Sequence, residues 1–75
     1  MKYAGFAICL DNTDYTVSLE LRKIYPILEP YSNDPTGYLR IVDESGEDYL
    51  YPDEWFETVS FGKKLESRLL ETLAA

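Results

Sequence analysis

The chain has 75 residues, with 7 Lys and Arg against 14 Asp and Glu for a net charge of -7, and it holds no His, one Cys and one Trp. A chain this short is one small domain that buries only about 60% of its unfolded surface. These counts exclude Ser-His-Asp and Cys-His catalysts, which need an imidazole, a Cys/His zinc site and an intramolecular disulfide.

In chain order, Phe6 to Leu10 reads as a strand with Phe6, Ile8 and Leu10 facing the core. The apolar start from Met1 stops at Asp11 without a small-residue cleavage site, so it is not read as a signal peptide. Asp11-Asn12-Thr13-Asp14 reads as a loop tip. Thr16 to Leu21 alternates, with Val17, Leu19 and Leu21 on one face, and predicts a strand. Ile24 to Leu28 is another apolar strand, where Pro26 demands a sheet edge or a bulge. Pro30 to Gly37 is dense in turn formers and predicts a loop. Tyr38 to Asp43 and Asp48 to Tyr51 flank Glu44-Ser45-Gly46-Glu47, a hairpin in which Gly46 supplies the positive φ of the turn. Leu39, Ile41 and Leu50 are its expected core residues. Pro52 to Trp55 predicts one tight helical turn, since Pro sets φ at the start and acids suit a first turn. Phe56 to Phe61 predicts a last short strand. From Lys63 to Ala75 the period changes: Leu65, Leu69 and Leu73 recur every fourth residue beside Leu70, the stripe of a short amphipathic helix. Two readings of that stripe stay open, packing on its own domain or on a second copy, so the chain is expected as a monomer or a homodimer joined through this helix.

The acid is uneven. Asp43, Glu44, Glu47, Asp48, Asp53, Glu54 and Glu57 fall in one window without Lys or Arg. The acidic balance argues against nucleic acid and against an anionic membrane, and no apolar run is long enough to span a bilayer. A protein partner, of basic character, fits such a face. A free Cys without a signal points to a reducing cytoplasm. Cys9 has apolar neighbours and reads as buried and inert.

The order strand, long irregular loop, strand, turn-rich loop, hairpin, helical turn, strand resembles the plan of a Src-homology-3-like barrel. Tyr49-Leu50-Tyr51-Pro52-Asp53-Glu54-Trp55-Phe56 is similar to that family's closing segment, with Pro52 at its Pro, Trp55 at its groove Tyr and Phe56 at its core Val. Ser18-Leu19-Glu20-Leu21 looks like its Glu-Leu-Ser-Phe stretch, and Ala7 to Asp11 falls where Ala-Leu-Tyr-Asp-Tyr stands, without the aromatics. The segments Ser18 to Tyr25 and Asp43 to Pro52 also resemble segments shared by a set of short bacterial proteins that have no assigned activity. The resemblance implies a mainly β fold: a five-stranded barrel over residues 1–62 and a short helix over 63–75.

It also implies a polyproline groove, which here would draw on Tyr15, Tyr38, Pro52 and Trp55 with Asp11 and Asp14 as acids. Tyr38-Leu39 stands where the family carries its groove Trp. The wider reading is a non-catalytic module that binds a protein through an acidic, Tyr-rich surface formed by Tyr15, Tyr38, Tyr49, Tyr51, Pro52, Trp55, Asp11, Asp14, Glu44, Glu47 and Asp48. A translation-associated or nucleic-acid-binding barrel is a rival of another class, opposed by the charge. The acidic loops lack the spacing of a calcium loop, the glycines are too isolated for a phosphate loop, and neither metal nor cofactor is expected.

Overall fold

The computed structural model describes residues 2–74. Met1 and Ala75, the outer bounds of the expected barrel and helix, lie outside the described residues. Five strands form one antiparallel sheet: β1 (Tyr3–Cys9), β2 (Ile24–Leu28), β3 (Tyr38–Val42), β4 (Asp48–Pro52) and β5 (Phe56–Val59). Their order is β4-β3-β2-β1-β5. A 3-10 turn, Asp53–Trp55, links β4 to β5, and helix α1 (Lys63–Ala74) closes the chain. Among the described residues β4 and β5 are not paired with each other, so the sheet is open.

Side chains alternate across the sheet, and both faces are covered. On the inner face lie Ala7, Cys9, Tyr25, Ile27, Ile41, Tyr51 and Phe56, closed over by Leu19, with Leu39 and Trp55 packed against them. On the outer face Phe6, Pro26, Leu28 and Val42 are buried. There Phe6 meets Phe61 edge to face at 5.8 Å. An outer groove of about 210 Å³ runs between Phe6, Ile24 and Pro26 on one side and Leu69, Thr72 and Leu73 of α1 on the other. Thus two residues of the Leu stripe, Leu69 and Leu73, turn toward the sheet, while Leu65 stays 49% exposed.

Three expectations need correction. The segment Thr16 to Leu21 is not a strand but part of an irregular connection, residues 10–23. Leu19 is fully buried while Val17 is 90% exposed. The reason is topological: β1 is already paired on both sides, with β2 and with β5. The connection is held by turns instead. Asp14 and Arg22 take positive φ, and the Asn12 side-chain amide donates to the Leu19 carbonyl at 2.9 Å. Second, β1 presents Ala7 and Cys9 to the inner core rather than Phe6, Ile8 and Leu10. Phe6 serves the outer face, Ile8 is half-buried there, and Leu10 is exposed. A strand covered on both faces does not announce its parity through hydrophobicity. Third, Leu50 stands opposite Arg40, on the outer face, whereas Leu39 and Ile41 do face the core.

The hairpin, the 3-10 turn and α1 form where the sequence puts them. Gly46 has φ of 83° in the hairpin turn, a conformation that side chains with a Cβ resist. β2 lies inside the sheet, yet its ladder to β3 involves only Ile27 and Leu28. Pro26 therefore sits beyond that ladder, where its missing N–H is tolerated.

Candidate functional site

A groove of about 330 Å³ opens on the inner side, between the β1–β2 connection and the β3–β4 hairpin. Tyr15, Ser18, Asp43, Ser45, Tyr49 and Tyr51 line it. The Glu44 amide donates to the Ser18 carbonyl at 3.0 Å, which fixes the two walls to each other. The Tyr15 ring meets Tyr51 edge to face at 5.3 Å and Trp55 at 5.8 Å. Trp55 is held by its carbonyl, which accepts from the Leu10 and Asp11 amides. Tyr15 and Tyr49 remain exposed, so the groove has aromatic faces open to solvent.

Asp43 is only 6% exposed. Its Oδ1 accepts from the Ser45 amide at 2.9 Å and from the Ser45 hydroxyl, and its Oδ2 accepts from the Tyr51 hydroxyl at 2.6 Å. All three donors are neutral, and among the described residues no Lys or Arg forms an ion pair with Asp43. Burial pushes the Tyr51 phenol well above the ordinary tyrosine range, and its bond to Asp43 adds to the shift. Tyr49 donates to Glu47 at 3.1 Å, and that bond, with the fields of Glu47, Asp43 and Asp48, raises its phenol as well.

The remaining acids of the window divide between other partners. Glu44 receives Lys23 at 2.6 Å and also the Tyr25 hydroxyl. Lys23 first, then Tyr25, hold its carboxyl below the usual range. Burial, then the bond to Glu44, raises the Tyr25 phenol. Asp48 faces outward and takes the Arg40 guanidinium at 2.9 Å. Arg40 also grips Asp34 in a two-pronged bond at 2.7 and 3.0 Å. Its guanidinium lies 4.0 Å from the Tyr31 ring centroid. This outer cluster holds the Asp34 and Asp48 carboxyls below their usual range, Arg40 being the first cause for each.

Of the residues nominated from sequence, the groove brings together Tyr15, Tyr49 and Tyr51, with Trp55 behind Tyr15 and Glu47 on Tyr49. Tyr38 and Pro52 stand opposite each other across the β3–β4 ladder, on the face away from Tyr51. Asp11 spends its Oδ1 on the Thr13 amide and hydroxyl at 2.9 and 2.6 Å, which lowers its carboxyl. Asp14 is exposed in its positive-φ turn. Sequence reasoning named Asp43 only as one acid of the window, and did not nominate Ser18 or Ser45. The available signal for two of them was Asp-x-Ser directly after an apolar strand, a side-chain turn; Ser18 gave none. Among the described residues no three His, Cys, Asp or Glu group to hold a metal. No helix there is long and apolar enough to cross a membrane. Cys9 is buried and free, and burial raises its thiol. No family model, curated protein or solved structure matches the chain.

Proposed function

We propose that this chain is a non-catalytic protein-interaction module that binds a protein segment in the groove between the β1–β2 connection and the β3–β4 hairpin. The observation that carries the reading is the groove itself. It offers exposed Tyr faces, which bury area with little rotamer entropy to lose, over hydroxyls and a carboxylate that orient a ligand. The order of strands, long connection, hairpin and 3-10 turn supports a Src-homology-3-like plan for the scaffold. The free thiol of Cys9 supports a reducing, cytoplasmic setting. The test is selection from a random peptide display library, followed by mapping of the enriched peptides on the amide spectrum. Shifts at Tyr15, Ser45 and Tyr49 are expected. Binding that shifts only other residues, or no enrichment, contradicts the reading.

A second reading, a polyproline reader, is favoured by the ring contact of Tyr15 with Trp55 at 5.8 Å. It expects Pro-rich peptides to quench or shift the fluorescence of the single Trp. Its weak point is that Tyr38 and Pro52 lie across the sheet from Tyr51, so the expected groove residues do not form one surface with the Tyr15 cluster.

A further inference from the structure

The outer cluster and the inner groove use the same kinds of part, aromatic rings and carboxylates, but only the outer cluster holds a cation. On the outer face Tyr31 supplies an aromatic face, Asp34 and Asp48 supply carboxylates, and Arg40 fills the space between them. In the inner groove Tyr15, Tyr49 and Tyr51 supply aromatic walls and Asp43 supplies the carboxylate, with an open volume of about 330 Å³ where the cation would stand. A carboxylate has about four acceptor positions, and the Ser45 amide, the Ser45 hydroxyl and the Tyr51 hydroxyl take three of those on Asp43. The fourth position, on Oδ2, has no partner among the described residues, and Asp43 lines the groove.

We propose that the groove binds the guanidinium of an arginine side chain presented by the partner protein, with Asp43 as its counter-charge and Tyr15 and Tyr49 as its stacking faces. This rests on the reading of the groove as the interaction site and names the chemistry it recognises. A guanidinium suits it better than an ammonium. It is planar and weakly hydrated, it stacks on aromatic rings, and it gives single N–H bonds to several acceptors at once. Two cations near the hairpin are already committed: Lys23 to Glu44, and Arg40 to Asp34 and Asp48 on the other side of the sheet. Glu47, bonded to Tyr49, adds negative charge at the mouth.

The experiment titrates the full chain with N-acetyl-arginine amide and, separately, with N-acetyl-citrulline amide, which has nearly the same shape and no charge. Amide shifts are followed up to the solubility limit. The expected result is a set of shifts at Tyr15, Ser45 and Tyr49 with the arginine compound, and binding about tenfold weaker with the citrulline compound. Added salt should weaken the former more than the latter. Tyr49→Leu, at an exposed position, should reduce arginine binding several-fold without loss of folding; Asp43→Asn should abolish it. Equal binding of the two compounds, silence at the groove, or shifts centred on Tyr31 and Asp34 would overturn the proposal. The broader reading fails separately. If library-selected peptides bind the groove with no need for Arg, that reading stands and the arginine inference falls. If they do not bind the groove, both fall.

Discussion

The two sides of the β3–β4 hairpin use the same chemistry to opposite ends. On the outer side Arg40 sits among Asp34, Asp48 and Tyr31, and every charge has an opposite within the chain. On the inner side Asp43 is more deeply buried, yet it is held by neutral donors. Closure on one side is a structural solution: it ties the β2–β3 loop, which carries Asp34, to β3 and β4. The inner side keeps a carboxylate without a cation partner among the described residues, beside an open space. The lesson is that net charge alone says little about a binding face. Four of the seven acids in the Asp43–Glu57 window, Asp43, Glu44, Glu47 and Asp48, are bonded to side chains within the molecule.

The largest expected effect concerns what supports the groove. Leu19 is fully buried in the inner core and anchors the connection that forms one wall. Leu19→Ala should cost about 2–5 kcal/mol in a denaturant melt, through lost burial and a residual cavity. A loss well under 1 kcal/mol would show that the connection is held by its turns rather than by Leu19. Next comes the outer cluster. Arg40→Met leaves Asp34 and Asp48 beside each other without a cation, and should lower the melting temperature clearly at neutral pH. Asp34 and Asp48 have lowered folded-state pKa values. Their contribution in the wild type is therefore present in full above the unfolded range near 4, and lost as pH falls below it through the lowered folded values. The difference between Arg40→Met and wild type should shrink in acid; a constant difference contradicts the pairing.

Asp43→Asn should do less to the fold. The amide oxygen can keep either both Ser45 bonds or the Tyr51 bond, so a loss of about 1–2 kcal/mol is expected. If it equals or exceeds the Arg40→Met loss, the contrast between a closed and an open side is wrong. At alkaline pH, Tyr25 and Tyr51 have raised phenol pKa values. Their neutral forms stabilise the fold fully below the unfolded value near 10, and that stability is lost as pH rises above it. Absorbance titration should show these two phenols ionising only with unfolding. Smallest of all is Leu65→Asn, at an exposed position of α1. It should change stability by about 0.5 kcal/mol or less, and sedimentation that then changes would revive α1 as a contact between copies.

Much of the architecture was legible because local signals agreed with tertiary demands. Gly46 between alternating runs, Pro52 before acids, and the four-residue spacing of Leu65, Leu69 and Leu73 each carry their own physics. The connection 10–23 was misread because Val17-Leu19-Leu21 has strand periodicity, while strand pairing depends on neighbours far along the chain. β1 had none to spare. The parity of β1 was hidden because both of its faces are covered. For the groove, the Tyr residues were visible as aromatics. That Tyr49 and Tyr51 face inward while Asp48 and Pro52 face outward follows from a register that only pairing sets. The role of Asp43 was obscured by its neighbours, since seven acids in one window look alike until Lys23 and Arg40 claim theirs.

The central claim is that the inner groove, and not the outer cluster, engages a partner. Its most direct test is the dissociation constant of one library-selected peptide measured on Tyr49→Ala and on Tyr31→Ala. These two variants remove one exposed ring from each side of the same hairpin. Binding should weaken about tenfold or more for Tyr49→Ala, as at a contact anchor, and stay unchanged for Tyr31→Ala. The reverse pattern would contradict the account.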